Sequence, residues 1–259
     1  MFFFSVKKAF FDAWDNLGIV ILSNLSVMLI LMAGLWPMLT ILETGRLAGL
    51  FIILLLVPAL SLVLTVISYL QSRIADYRRP SWSEILPALV NSWKFGVLFG
   101  GMVALFFGFS IFGMSYYMAM GNIMGLALTA LLFWMSVAGY LVALWFLPVR
   151  NRLTGGFWKL LKKSSLIMMD NVGLSLFLGF IAVPVQLLLW PLTAFGGFGP
   201  AGILLQADGM LRLLIFKYDW LEENPESRKA AVPWPELLVD ERERVGKRTL
   251  KGMIFPWKE

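Results

Sequence analysis

Residues 95–149 read FGVLFGGMVALFFGFSIFGMSYYMAMGNIMGLALTALLFWMSVAGYLVALWFLPV, a run of 55 residues without a charged side chain. One transmembrane helix needs about 20 apolar residues at a rise of about 1.5 Å per residue. The run is therefore long enough for two spans, and the Gly121-Asn122 dipeptide near its middle is a strong turn signal. This stretch predicts a helical hairpin across a membrane.

Uncharged runs elsewhere in the chain extend the same pattern. Residues 16–42 and 47–72 each predict one span, while residues 171–207 hold one span and the beginning of another. We expect the sixth span from about Pro200, a residue type favoured in the first helical turn, to Phe216. The predicted fold class is all-α: a polytopic membrane bundle of about six transmembrane helices, arranged as three hairpins.

The composition agrees with a membrane protein and argues against an enzyme. Hydrophobic residues make up 59% and charged residues 15% of the chain, with a mean hydropathy of +0.78, whereas soluble domains carry about 25% charged residues. The absence of cysteine and histidine removes disulfides, thiolate nucleophiles and the commonest metal ligands. The remaining carboxylates are scattered and no phosphate-binding glycine loop is present, so we expect no catalytic activity and no cofactor.

The distribution of basic residues predicts the orientation, because lysine and arginine are retained on the cytoplasmic side. The turns near residues 121 and 195 carry none, and the short loop after residue 43 carries only Arg46. Both termini are therefore predicted to be cytoplasmic, with a membrane domain over 1–218 and a cytoplasmic tail over 219–259. The excess of lysine and arginine over acidic residues lies in short loops at the membrane surface. This position favours anionic lipid headgroups over nucleic acid as the partner.

Three similar segments precede the odd-numbered spans. They read KKAFFDAWDNLG (7–18), ILPALVNSWKFG (85–96) and KKSSLIMMDNVG (162–173). Each is amphipathic and ends in a glycine, which predicts three cytoplasmic interfacial helices that introduce the three hairpins. The alternative is that basic amphipathic flanks are common to multi-pass proteins and reflect no internal repeat.

A stripe of small residues marks the third span. Gly96, Gly100, Ala104 and Gly108 recur every four residues. Small residues let two helices approach closely in lipid, so the stripe predicts helix packing inside the bundle, with homodimerisation as the alternative.

Asp208 and Arg212 are the two charged residues that the predicted spans place well inside the membrane, with Asp208 near the middle. They are four residues apart and so lie on one helical face. Ionisable residues inside a membrane often mark a solute or proton pathway. The alternatives are an ion pair that fixes helix packing, or a shifted span that brings both residues to the headgroups.

The tail contains a predicted charged helix, PELLVDERERVG (235–246), followed by an apolar patch with Ile254, Phe255 and Trp257. Exposed aromatic residues near a chain end are typical of a docking segment. We therefore expect this patch to bind the membrane or a protein partner.

Three segments resemble the YesL-like family of bacterial multi-pass membrane proteins. They are SYLQSRIADYRRPSWSEILPALVNSWKFG (68–96), FLPVRNRLTGGFWKLLKKSSLIMMDNVG (146–173) and GFGPAGILLQADGMLRLLIFKYD (197–219). The resemblance implies an all-helical protein of the bacterial cytoplasmic membrane, a family often associated with carbohydrate uptake and without an agreed biochemical activity. This chain differs from the family pattern in two ways: it has an additional apolar run over 47–57, and it extends past the usual end of the family over residues 220–259.

These observations together predict a non-catalytic integral membrane protein, an accessory or scaffold subunit of a membrane assembly with protein partners. The alternative is a small transporter or channel that uses Asp208 and Arg212 in its pathway.

Overall fold

The computed structural model describes residues 2–43, 48–193, 198–226, 232–246 and 248. These residues form helices and connecting turns, and no strand occurs among them. The helices are α1 (Phe2–Asp15), α2 (Leu17–Glu43), α3 (Ala48–Ala75), α4 (Ile85–Ala119), α5 (Ile123–Arg152), α6 (Phe157–Asp170), α7 (Val172–Phe177), α8 (Val183–Leu192), α9 (Pro200–Glu223), α10 (Trp234–Leu237) and α11 (Val239–Val245). A 3₁₀ turn, Trp82–Glu84, precedes α4, and a π-helical turn, Leu178–Ala182, joins α7 to α8.

Five helical segments of the described chain are long and apolar enough to cross a membrane. They are Leu17–Ile41, Leu55–Ala75, Trp82–Ala119, Ile123–Arg152 and Val172–Leu192. The chain is therefore a multi-pass α-helical membrane protein, and the sequence-based prediction of that class is confirmed. Helix α9, which contains the predicted sixth span, is not among the five.

The hairpin of α4 and α5 turns where the sequence predicts it. Gly121 adopts a φ of +63°, a left-handed conformation that glycine adopts without steric cost. Asn122 then caps α5, because its side-chain oxygen accepts a hydrogen bond from the Gly125 amide at 2.7 Å. The long uncharged run is thus divided into two antiparallel helices.

Helix α4 packs closely against α3 through the first two positions of its small-residue stripe. A Cβ atom on Gly96 would lie 2.8 Å from the Leu62 Cα, and one on Gly100 would lie 2.6 Å from the Pro58 Cα. A Cβ on Gly108 would meet nothing within 4 Å. The stripe therefore brings two helix backbones together at Gly96 and Gly100, whereas Gly108 borders open space.

Two of the three predicted interfacial helices are separate elements. Helix α1 ends at Asp15 before α2, and α6 ends at Asp170 before α7. The second segment, residues 85–96, continues without a break into the 35-residue helix α4. The three similar sequence segments therefore do not form three equivalent, separate helices.

The bundle has two ends that differ in polarity. We call the end where α2 begins and where α3 and α5 finish the basal end, and the end with the Gly121 turn the far end. Buried apolar side chains such as Trp145, Phe146 and Met210 fill the basal half. Toward the far end, Phe112 is 75% exposed and Trp36 is 76% exposed, as expected of helices that face lipid.

The start of α9 is fixed to the side of α2 near the basal end. The Asn24 side chain donates to the Phe198 carbonyl at 3.1 Å and accepts from the Ala201 amide at 2.9 Å. Leu205, only one turn further along α9, already packs in a cluster with Ile74 and Ala75 at the end of α3. The beginning of α9 therefore lies in the basal half of the bundle.

Candidate functional site

Asp208 is fully buried, at 0% exposure, where α9 crosses the ends of α3 and α5. Its partner is Arg152, the last residue of α5, whose Nε lies 3.0 Å from the Asp208 Oδ2 and whose guanidinium makes a second bond to the same oxygen. The other carboxylate oxygen, Oδ1, has no hydrogen-bond partner among the described residues. Asp208 therefore joins α9 to α5 and keeps one acceptor atom unused by the protein.

Asp76, just after α3, links the two arginines of the site. Its Oδ1 accepts from Arg152 at 3.1 Å and also from Arg212 on α9. Partial burial on its own would raise the pKa of this carboxyl group, but the two guanidinium groups outweigh that effect and lower it below its usual value. Asp76 is therefore held as a carboxylate between two cations.

The tail joins the site through Glu241 of α11, which is 3% exposed. Its carboxylate accepts from Arg212 at 2.8 Å and 2.9 Å and from the Tyr77 hydroxyl at 2.7 Å. Lys8 of α1 lies 3.7 Å away. The tail helix is thus bound to the membrane domain by an acidic side chain with three partners.

Lys8 is almost completely buried, at 1% exposure, although lysine is normally a surface residue. Its Nζ lies 2.6 Å from the Asp12 carboxylate, 3.1 Å from the Ala75 carbonyl and 3.9 Å from the centre of the Tyr77 ring. Burial raises the pKa of Asp12 to about 6, because it disfavours the charged form more strongly than Lys8 favours it. Helix α1 is therefore fixed to α3 by its charged face.

These contacts form one connected group, which we call the basal ion network. It joins α1, α3, α5, α9 and α11 and consists of Lys8, Asp12, Asp76, Arg152, Asp208, Arg212 and Glu241. Three cations face four carboxylates, so the fully ionised network carries a charge of −1. The Arg244 guanidinium, 5.1 Å from the centre of the Tyr77 ring, lies close by. Protein interiors tolerate such charges only when they are paired, as they are here.

The structure places the two sequence-predicted site residues differently from the expectation. Asp208 and Arg212 share a helical face, but each forms its salt bridges with residues of other elements. Asp208 is level with the ends of α3 and α5, not with the middle of the bundle. The reason is that α9 begins in the basal half, so eight residues are enough to bring Asp208 to the basal end.

Five network residues were not predicted: Lys8, Asp12, Asp76, Arg152 and Glu241. One signal was available, because Asp76 and Arg152 lie within four residues of the ends of the uncharged runs 47–72 and 95–149. A charge at the end of a span is usually solvated at the headgroups, so that signal alone does not identify a network. Glu241 lies among many charged residues of the tail and had no distinguishing signal.

A second buried polar group lies on α3 near the network. Gln71 is 0% exposed, and neither its amide nitrogen nor its amide oxygen has a protein hydrogen-bond partner. One turn away, Ser68 accepts a hydrogen bond from Asn151 at 2.8 Å. Unpartnered buried amides are uncommon and usually contact water or a ligand.

The predicted docking patch with Ile254, Phe255 and Trp257 lies outside the described residues. In the part of the tail that is described, Leu238 and Val245 are buried at 0% and 3% exposure. The Gly246 carbonyl accepts a hydrogen bond from Lys7 at 3.2 Å. The tail therefore packs against α1 up to Gly246, and Arg248 forms a further salt bridge with Asp15 of α1.

No protein family, no curated protein and no solved structure matches this chain. The resemblance to the YesL-like family stays a prediction.

Proposed function

We propose that the protein is a non-catalytic scaffold or accessory subunit of an assembly in the bacterial cytoplasmic membrane. The observation that carries the proposal is Glu241, which binds the tail helix α11 to three elements of the membrane domain. A tail fixed in this way presents the residues that follow it from a defined position. Such an arrangement suits the docking of a partner protein more than it suits chemistry.

The pairing of every charged group in the network supports a structural role. Both predicted site residues have charged partners on other elements: Arg152 binds Asp208, and Asp76 and Glu241 bind Arg212. Opening a pathway through these groups would separate buried charges. Leaving one buried charge without its partner costs about 3–5 kcal/mol. The network therefore serves better as a fixed joint between helices than as a moving gate.

The proposed orientation places the basal end in the cytoplasm. Helix α1, the end of α3 and the tail all lie at this end, together with Arg78, Arg79 and Lys94. Basic residues concentrated at one end follow the positive-inside rule and would contact anionic lipid headgroups. Both chain ends are then cytoplasmic.

For the last two helices we propose a hairpin that enters from the cytoplasmic side and returns, in place of a fifth crossing and a sixth crossing over residues 200–216. Phe198 and Ala201, at the beginning of α9, are fixed to Asn24, which lies seven residues into α2 and so about 10 Å from the basal end. Since the hydrocarbon core is about 30 Å thick, the beginning of α9 lies roughly 20 Å short of the far side.

The experiment that tests the scaffold function is purification in mild detergent followed by mass spectrometry. A scaffold should carry stoichiometric partner proteins, and a variant truncated after Gly246 should insert normally but lose them. A matched control is Glu243→Gln, an exposed charge change in the same tail that should keep the partners. Unchanged partner recovery after truncation would rule out docking through the last residues, and an absence of partners from the full chain would contradict the proposal.

A transporter or channel is the second candidate, favoured by the unpartnered Asp208 Oδ1 and the unpartnered Gln71 amide. Unused polar atoms inside a membrane domain are typical of solute and proton pathways. A transporter should move solute when it is reconstituted alone, and Asp208→Asn should abolish that transport at an unchanged protein level. The scaffold proposal expects no transport by the purified protein and a loss of folded protein in Asp208→Asn.

A further inference from the structure

An apolar groove lies between α1 on one side and α7, the π-helical turn and α8 on the other. Its volume is about 450 Å³, within the range of small-molecule sites. Val6 and Phe10 line it from α1, and Ile181 and Val185 line it from the opposite wall. Helix α9 forms its floor.

The two faces of α1 explain why this groove stays open. Lys8 and Asp12 lie on one face and are held by the basal ion network. Val6, Ala9 and Phe10 lie on the other face, at helical spacing. At the beginning of α1, Phe2 contacts Phe177 with ring centres 5.4 Å apart. The network on one side and this aromatic contact at one end keep α1 from collapsing onto α8.

The groove continues into the surface that faces lipid. Its rim residues are half exposed: Val6 is 41%, Ile181 is 55% and Val185 is 48% exposed. The two amides inside the groove bind each other, since the Gln186 Nε2 donates to the Gln206 Oε1 at 2.7 Å. Ordered water needs two to four polar partners, which the apolar walls do not provide. Hydrocarbon is therefore the solvent that suits this space.

We propose that the groove binds one acyl chain of a membrane phospholipid, held between α1 and the α7–α8 wall. Continuity with the lipid-facing surface gives the chain its entry, and the fixed position of α1 turns an ordinary lipid contact into a defined site. The bound lipid joins the interfacial helix to the hairpin. This proposal does not depend on the proposed scaffold function.

The test is native mass spectrometry of the full chain in mild detergent, after incubation with dioleoyl phosphatidylglycerol and removal of free lipid. The wild-type protein should retain one lipid per chain. Ala9→Phe fills the groove from α1 and should reduce the retained lipid about tenfold, because the ring displaces buried methylene groups. Ala127→Phe makes the same change on an exposed face of α5 outside the groove and should retain lipid as the wild type does.

A second measurement locates the lipid and guards against misfolding. A phosphatidylglycerol with a photoactivatable diazirine in its acyl chain should label peptides that contain residues 2–17 or 177–186 in the wild type and in Ala127→Phe, but not in Ala9→Phe. Val185→Phe, which fills the groove from the opposite wall, should lose the same labelling if Ala9→Phe does not fold. Equal lipid retention by the wild type and the folded groove variants would overturn the proposal, as would labelling spread evenly over all lipid-facing helices. Partner recovery in mild detergent is a separate readout that these variants should leave unchanged.

Discussion

Glu241 is the residue on which the position of the tail depends most. Its carboxylate contacts Arg212, Tyr77 and Lys8. Among the described tail helices, only α11 contributes a residue to the basal ion network. Glu241→Gln removes the charge but keeps the shape, so the buried Lys8 and the partly buried Arg212 lose a counter-charge, at a cost of roughly 3 kcal/mol. Thermal unfolding in detergent should show a lower midpoint, and limited proteolysis should release the tail sooner. The exposed neighbour Glu243→Gln should behave as the wild type, and an equal effect of the two variants would contradict the assignment.

Asp12 should make the stability of the protein depend on pH. Its pKa is raised to about 6 in the folded protein from an ordinary value of 3.8, so the folded state holds the proton more tightly than the unfolded chain does. The stability contributed by this proton is fully present below the ordinary value and is lost as the pH rises through about 6. Lys8, Glu241 and Asp15 are the charged groups that act on it.

The measurement for Asp12 is the unfolding midpoint of the wild type minus that of Asp12→Asn, followed across pH. The difference should fall between about pH 4 and pH 6 and level off above about pH 7. Asp76, whose pKa is lowered in the folded protein, contributes stability that is lost as the pH falls. Because Asp76 is present in both proteins, its contribution cancels in the difference. If this difference in unfolding midpoint rose with pH, the pKa of Asp12 would be lowered in the folded protein and not raised.

Asp208 and Arg212 could be identified from the sequence as candidate site residues, but their partners could not. The two residues stand out because they interrupt the last apolar run. Their partners lie 56 residues away, from Asp208 to Arg152, and 136 residues away, from Arg212 to Asp76. Periodicity describes which residues share one helix face, whereas these contacts depend on how α9 crosses α3 and α5.

Among the elements, the contact between α3 and α4 offers the sharpest test of packing. A Cβ on Gly100 would meet the backbone of α3 at 2.6 Å, so Gly100→Ala must push the two helices apart and should destabilise the bundle by about 1–3 kcal/mol. Gly108→Ala places the same methyl group in open space and should be neutral or slightly stabilising, since alanine favours helix. Chemical unfolding in detergent compares the two. Equal effects would mean that the stripe does not pack at Gly100.

The helices themselves were largely predictable, and the exceptions have physical causes. Charge-free runs and the Gly121-Asn122 turn predicted α2 to α5, because lipid requires long apolar helices. The second interfacial segment, residues 85–96, merges with its span, since no helix-breaking residue separates them. The π-helical turn Leu178–Ala182 had no signal, because it follows from how α7 and α8 pack against other helices.

The whole molecule has a charged, tightly connected basal end and an apolar remainder. The described chain concentrates its buried ion pairs on α1, at the ends of α3 and α5 and in the middle of α9, while the far half exposes aromatic and aliphatic side chains to lipid. In the proposed topology, four helices cross the membrane, the last pair enters and returns, and both termini and the network lie on the cytoplasmic side.

The position of the turn between α8 and α9 tests this topology most directly. The chain has no cysteine, so single cysteines can be introduced and labelled with a membrane-impermeant maleimide in intact cells. We predict that Ile123→Cys at the far end is labelled from outside, whereas Thr193→Cys is not labelled from outside and Asp219→Cys is labelled only after the cells are opened. Labelling of Thr193→Cys from outside as efficient as that of Ile123→Cys would contradict the account, because the last two helices would then cross the membrane completely.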